Sequence, residues 1–307
     1  LTLCDVDIER MDALRRKENT YTNVGKTGTV YRKIAVPEFA GLEAELFDRK
    51  IDAHPFIPSD EKMMDERCEE IFNIQINGLA HTCAQAAVIG ISGGLDSTLA
   101  LLVCVKTFDK LGISRKQIMG ITMPGFGTTD RTYQNALSLM EALGVSTREI
   151  PIGPACLQHF KDIELDADDR GAAYENPQAR ERTQILMDVA NQINGMVVGT
   201  GDLSELALGW ATYNGDHMSM YGVNGGIPKT LVRYLVKWVA NQKGDDEARE
   251  FLLDIIDTPI SPELLPADEN GQIAQKTEDL VGPYELHDFF LYYFIRFGFR
   301  PAKIFFL

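Results

Sequence analysis

The sequence has little that would tie it to nucleic acid, to metal–thiolate chemistry or to a membrane. Basic residues are the scarcer charge: 30 Lys and Arg stand against 45 Asp and Glu, a formal net charge of −15. Nucleic-acid binding rests on neutralising phosphates with Lys and Arg, so this balance argues against a nucleic-acid partner; its plainest reading is a solvated acidic surface. The five cysteines, Cys4, Cys68, Cys83, Cys104 and Cys156, are scattered, with no CxxC pair and no Cys/His cluster. Structural zinc and iron–sulfur ligation are therefore not expected, and unpaired thiols fit the reducing cytoplasm. No apolar run reaches the ~18 residues that a membrane-spanning helix needs. The N-terminal LTLCDVDIER lacks the basic stretch and apolar core of a signal peptide. An initiator Met is also missing, so the chain reads as a piece of a longer gene product. What is present is ordinary for a folded protein: 307 residues, 45% hydrophobic and 24% charged, enough for one large domain or two modest ones.

Residues 1–58 differ from the rest. LTLCDVDI alternates apolar and polar residues like a strand, RMDALRRKEN reads as a short polar helix, and a turn-rich stretch with Pro37, Pro55 and Pro58 follows. We read this as the tail of a preceding element and a linker, with the main domain over 59–307. A helix is predicted from the N-cap candidate Ser59, with Met64, Cys68, Ile71, Ile74 and Leu79 at roughly helical spacing. From there strands and helices alternate. Ala86–Ile91, Gln117–Met123, Ser146–Ile152 and Gly195–Thr200 read as strands; Ser97–Phe108, Thr132–Leu143 and Pro177–Ile193 read as helices, the second stopped by Gly144. This pattern predicts an α/β fold, a doubly wound parallel sheet flanked by helices. Ligands of such sheets sit outside the carboxyl ends of the strands, so the turns there are where chemistry is sought.

The first of those turns is SGGLDST, Ser92 to Thr98. Gly93 and Gly94 permit positive φ and close backbone approach, so successive N–H groups can face one anion, and the helix that follows adds its positive end. Ser92, Ser97 and Thr98 supply hydroxyls. Asp96 is the telling residue, because a carboxylate beside a phosphate repels it unless a cation lies between, and Mg²⁺ suits that place. A capped tight turn is the plain alternative. The string is neither a Walker A loop nor a Rossmann fingerprint. It resembles the PP-loop of ATP-pyrophosphatases, which cleave ATP between the α and β phosphates.

Further segments narrow the reading. GTGDLSELALG follows the last predicted strand and puts Thr200 and Glu205 at the same rim; Glu205 is either a second metal ligand beside Asp96 or a surface residue of a helix. Asn176 opens ENPQARERTQ and is well placed as an N-cap, while Arg180 and Arg182 are equally read as surface salt-bridge partners. WATY, residues 210–213, could stack a heterocycle, although a Trp is more often core. It leads into a glycine-rich stretch with Asp216 and Lys229, and VGPYELHDF lies near the C-terminus.

Together SGGLDST, ENPQARERTQ, GTGDLSELALGWATY and VGPYELHDF resemble NAD synthetase, in particular the synthetase half of the glutamine-dependent form. The resemblance implies that Ser92, Gly93, Gly94, Leu95, Asp96 and Ser97 hold the ATP phosphates, with Thr200 and main chain near Met123 also meeting ATP. It implies deamido-NAD at Asn176, Arg180, Glu205, Trp210, Ala211, Thr212, Tyr213 and Asp216. Asp216 and Lys229 would lie in a loop that closes over substrate, with Asp96, Ser97 and Lys229 catalytic and Mg²⁺ shared by Asp96 and Glu205. It implies further a homodimer or higher homo-oligomer, with ammonia supplied from glutamine by an amidase domain. That domain has no counterpart here, although LTLCDVDIERM resembles its last strand. The chain stops at IFFL, where relatives continue, so ammonia is the donor expected for this piece. Asp202 stands where ammonia-using relatives have His. Another PP-loop amidating ligase such as GMP synthetase, or a non-catalytic nucleotide-binding module, are the rival readings. The first would lack GTGDLSELALGWATY, and the second would not need Asp96 together with Glu205.

Overall fold

The structure, a computed structural model, describes residues 6–20, 28, 30, 32–35, 50–57, 60–166, 168–242, 246–258, 264–265 and 277–307. Ser59, Cys4, Pro37, Pro58 and most of the N-terminal strand expectation lie outside them. The chain divides into two compact units, Leu1–Pro55 with Phe289–Leu307, and Phe56–Asp288. In the first, α1 (Ile8–Lys17) starts at Asp7, whose carboxylate accepts the Arg10 N–H at 3.0 Å, a local cap that a polar helix with no buried residue needs. Lys17 donates to the carbonyls of Ile295 and Arg296, and Tyr293, Phe299 and Ile304 form a small core beside it in the same unit.

The second unit contains the sheet. Its elements run α2 (Glu61–His81), β1 (Ala87–Gly90), α3 (Leu95–Leu111), β2 (Ile118–Thr122), α4 (Asp130–Ala142), β3 (Ser146–Glu149), α5 (Gly153–Asp162) and α6 (Ala172–Ile193). There follow β4 (Met196–Gly199), α7 (Leu203–Leu208), β5 (Tyr221–Gly222), α8 (Lys229–Asn241), α9 (Asp246–Ile256), α10 (Thr277–Val281) and the first five residues of α11 (Tyr284–Leu291). All strand pairs are parallel, in the order β3-β2-β1-β4-β5. A central parallel strand is buried on both faces, which is why β1 is apolar throughout. Ile89 faces a core formed with α2, α3, α4, α8 and α9, while Val88 faces a second core with α5 and α6. Helices thus cover both faces, and the winding reverses between β1 and β4, the place where such sheets open a crevice. Among the described residues no helix is long and apolar enough to cross a membrane.

Several expectations need correction. Ile74 is 65% exposed; the buried stripe of α2 runs through Cys68, Phe72, Gln75, Ile76 and Leu79. The long helix begins at Ala172 after Gly171, so Pro177 and Asn176 lie inside it and Asn176 is not its N-cap. Pro177 resembles a boundary only locally, since proline is favoured at a helix start. Helix α5 and strand β5 were not expected. β5 has two residues, Tyr221 and Gly222, and exists through its pairing with Val198 and Gly199.

Candidate active site

Between β1 and α3 the chain turns tightly. Gly93 has φ +87°, and a Cβ there would lie 2.1 Å from the Thr132 carbonyl oxygen, so both backbone conformation and space demand glycine. Gly94 does not use the positive φ that a glycine permits: it is extended at φ −90° and is the N-cap of α3. It brings no capping side chain, so the first-turn amides of α3 stay open to an anion at the helix's positive end. Ser92 Oγ accepts the Gly94 N–H at 3.2 Å and lies 3.2 Å from Ser97 Oγ, which donates to the Gly94 carbonyl at 3.1 Å. Both hydroxyls are thereby held at the mouth of the turn.

A cleft of about 530 Å³ opens beyond the carboxyl ends of β1, β2 and β4. Ser92, Asp96, Ser97, Met123, Asn176, Thr200, Glu205, Trp210, Ala211, Thr212 and Asp216 line it. Gly93, Gly94, Leu95, Arg180, Tyr213 and Lys229 are not among the lining residues. Leu95 is core, 5% exposed. Arg180 instead donates to the Tyr213 carbonyl at 3.1 Å, and Tyr213 itself is 76% exposed beside His217. The Thr212 hydroxyl donates to Asn176 at 2.9 Å and its N–H to Asp216 at 2.7 Å, so the WATY turn is tied to α6 and to its own loop. Arg182 donates to the Met123 carbonyl at 3.2 Å.

At one end of this cleft three carboxylates meet one lysine. Lys229 Nζ lies 2.7 Å from Asp96, 2.6 Å from Asp202 and 2.8 Å from Glu205, and 5.4 Å from the centre of the Tyr284 ring. Lys229 is 2% exposed and is the first residue of α8, which corrects its expected place in a closing loop. Burial, and then the Asp96 carboxylate, push Glu205 up to about 8. Burial likewise lifts Asp202 to about 6, with Lys229 pulling the other way. Although burial opposes its charge, Lys229 is held well above its ordinary value by Asp96, Glu205 and Asp202. The carboxylate oxygens of Asp96, Asp202 and Glu205 lie within 4.8 Å of one another, and the buried Oδ1 of Asp96 takes no hydrogen bond among the described residues. Hard oxygen donors so placed suit a divalent cation such as Mg²⁺. For one ion to touch all three, the Lys229 ammonium would have to move aside, because it now occupies their common centre.

Two residues here were not expected. Asp202 caps α7, accepting the Glu205 N–H at 2.9 Å with one oxygen while the other faces Lys229. The spacing Asp202-Leu-Ser-Glu205 is that of a capping box, a signal available in the sequence. Asn224 is fully buried; its amide donates to the carbonyls of Asp96 at 3.0 Å and Thr200 at 3.1 Å, and it accepts from Gln75 at 3.1 Å. It clamps the glycine turn to the end of β4, a role that no local pattern marks.

A family model described as NAD synthase matches residues 68–293, most of the chain. The glutamine-dependent NAD(+) synthetase of Mycobacterium leprae (strain TN) is 40% identical in an alignment that covers 100% of this chain and 47% of that protein. The namesake of Mycobacterium tuberculosis (strain ATCC 25618 / H37Rv) is 43% identical over 84% of this chain and 39% of its own length. The chain spans about half the length of the curated relatives that it matches. Among solved structures, an NMN synthetase from Francisella tularensis aligns with TM-score 0.61 and 28% identity, covering 73% of this chain and 85% of that one. A glutamine-dependent NAD+ synthetase from Acinetobacter baumannii in complex with adenosine diphosphate aligns with TM-score 0.56 over 81% of this chain and 42% of that one; at 22% identity it supports the fold alone. The sheet, the glycine turn and these matches agree: the chain belongs to the NAD synthase family.

Proposed function

We propose that this chain carries out the ATP-dependent amidation of deamido-NAD to NAD. The observation that carries the reading is the Lys229–carboxylate cluster at the switch point of the sheet, directly beside the glycine turn. The nicotinate carboxylate attacks the α-phosphorus of ATP; the bond to the β-phosphate oxygen breaks and pyrophosphate leaves. Ammonia then adds to the acyl carbon, AMP departs with the electron pair of the broken C–O bond, and the ammonium nitrogen loses a proton to leave the amide. A carboxylate is a poor electrophile, and adenylation gives it a leaving group. The protein's part is positioning and charge neutralisation. The amides of the first turn of α3, with Ser92 and Ser97, hold phosphate, and Lys229 offsets the charge that grows on pyrophosphate. Thr200 and the main chain at Met123 meet the rest of ATP. Asn176, Trp210, Ala211, Thr212 and Asp216 face deamido-NAD from the cleft, with Arg180 and Tyr213 supporting that wall. Asp96 and Glu205, with Asp202 adjacent, would hold Mg²⁺, which supplies Lewis-acid neutralisation of the phosphates when bound. In the whole protein an amidase domain would deliver ammonia from glutamine, and a homodimer in the cytoplasm is the expected state.

The test is to supply ATP, Mg²⁺ and ammonia with either deamido-NAD or nicotinate mononucleotide, and to follow pyrophosphate and the amide product. NAD formation at the higher kcat/KM is expected. Nucleotide binding without pyrophosphate release would mark a binding module, and preference for the mononucleotide would align the chain with the Francisella protein. In the same assay Asp96→Ala should keep its circular dichroism and lose about a thousandfold in rate, the scale of a missing transition-state electrostatic partner; near-normal turnover would overturn the metal assignment.

A further inference from the structure

The segment VGPYELHDF meets the site as described only through the Tyr284 ring, yet its Asp288 is 2% exposed and fully engaged. One carboxylate oxygen accepts from the Ser204 hydroxyl; the other accepts the Thr230 N–H at 2.9 Å and the Thr230 hydroxyl at 2.6 Å. Ser204 Oγ in turn accepts the Lys229 N–H at 2.9 Å. These are the first two amides of α8, whose N-cap residue is Pro228 and has no side chain able to cap it. The helix start is therefore capped from a distance, and a buried carboxylate is tolerated because helix amides and hydroxyls surround it.

The same bonds fix two functional side chains relative to each other. Ser204 directly precedes Glu205 on α7, and Lys229 opens α8; Asp288 joins the two helices by accepting from the Ser204 hydroxyl and the Thr230 N–H, while the Lys229 N–H donates to the same Ser204 oxygen. One turn back on α11, Tyr284 is 2% exposed and lies with its ring 5.4 Å from Lys229 Nζ. A lysine has four rotatable bonds, so its ammonium reaches one spot reproducibly only if its Cα is fixed.

We infer that Asp288 is a positioning residue for the reaction, acting through Ser204 and Thr230 to hold Lys229 against Glu205 and Asp96. This rests on the function proposed above. The experiment uses the full chain with Asp288→Asn, Asp288→Ala, Ser204→Ala, Lys229→Met and the Asp288→Ala/Lys229→Met double variant. Four quantities are read: the thermal midpoint, kcat and KM with ammonia, and peptide-level acetylation of Lys229 by a competitive amine reagent. In Asp288→Asn, kcat should fall about ten- to a hundredfold, the scale of a lost charge-assisted hydrogen bond, with KM for ammonia unchanged. Lys229 should acetylate faster while other lysines keep their rates, and Ser204→Ala should show the same labelling change. In the double variant, Asp288→Ala should add nothing to the kcat loss of Lys229→Met. A lowered midpoint with wild-type kcat and wild-type labelling would reduce Asp288 to a structural cap, and multiplicative losses in the double variant would break its link to Lys229. If the aspartate variants fail to fold, Ser204→Ala decides by labelling alone. Absence of NAD formation by the unsubstituted chain would sink the proposed function, while labelling would still decide the role of Asp288.

Discussion

The glycine turn and the Lys229 cluster adjoin one cleft but are built in opposite ways. The turn is one contiguous string, Ser92 to Thr98, whose shape follows from a glycine at positive φ and from hydroxyls that bond within five residues of each other. The cluster draws Asp96, Asp202, Glu205 and Lys229 from three separate segments, with Asn224 and Asp288 behind it. The turn depends on steric fit at single atoms. The cluster depends on charge balance in a buried place, where burial and neighbouring charges set the ionisation of Glu205, Asp202 and Lys229. A defect in the first is local, and a defect in the second spreads.

The largest expected effect separates the two directly. Lys229→Met removes the only ammonium seen bridging Asp96, Asp202 and Glu205 among the described residues, and breaking a buried charge set of this kind costs about 3–5 kcal/mol. The deficit should shrink on acidification. Lys229 pulls Glu205 and Asp202 down, yet both stand above the ordinary carboxylate range, at about 8 and about 6; without it they rise further, so the folded variant takes up their protons more readily than the folded wild type. Acid therefore favours the folded state between the ordinary and the raised values. Urea unfolding at pH 6 and pH 8 measures this; a deficit that grew on acidification would mean that the cluster is not balanced by Lys229.

A smaller and strictly local effect is expected in the turn. Gly93→Ala should cost about 2–4 kcal/mol, combining left-handed strain with overlap on Thr132, and should abolish ATP binding. Gly94→Ala meets only the Ser92 hydroxyl, at 3.3 Å from the new Cβ, in an extended backbone, and should cost about 1 kcal/mol or less. Thermal melts and ATP titration of the pair check the contrast; equal costs would remove the distinction between the two glycines.

The smallest effect marks how much burial matters. Arg131 donates to both carboxylate oxygens of Asp254, at 2.9 and 2.6 Å, and to its carbonyl at 3.1 Å, but both side chains are more than 40% exposed. Arg131→Ala should cost no more than about 1 kcal/mol, reduced further by salt. Arg131 and then Asn135 hold the Asp254 carboxyl below its ordinary value, so this contribution is full above the ordinary value and disappears as pH falls through the lowered one. Denaturation at low and high salt tests it, and a cost comparable to that of Lys229→Met would show that exposure is not the deciding variable.

Much of the fold was legible because its central strands are short apolar runs bounded by glycine and polar residues. The limits of legibility are equally specific. Tyr221 and Gly222 have no strand signal of their own and become β5 through hydrogen bonding to β4. Pro177 looks like a helix start, but the helix begins five residues earlier, after Gly171. Asp202 has a readable capping signal, in the spacing Asp202-Leu-Ser-Glu205, but nothing local shows that its second oxygen meets Lys229. For Lys229 the family resemblance implies a closing loop, whereas the residue opens α8 directly after Pro228.

The sequence by itself determined the glycine turn, the alternation of strand and helix, and the family. Backbone sterics and side-chain period act over a few residues, and such rules can be read along a chain. Tertiary structure alone decided that Lys229 sits among Asp96, Asp202 and Glu205, that Asn224 ties the Asp96 carbonyl to that of Thr200, and that Asp288 accepts from Ser204 and Thr230 behind them. Charge balance and the satisfaction of buried carbonyls and carboxylates are set by groups far apart in the chain, which only the packing of α3, α7, α8 and α11 brings within hydrogen-bonding distance.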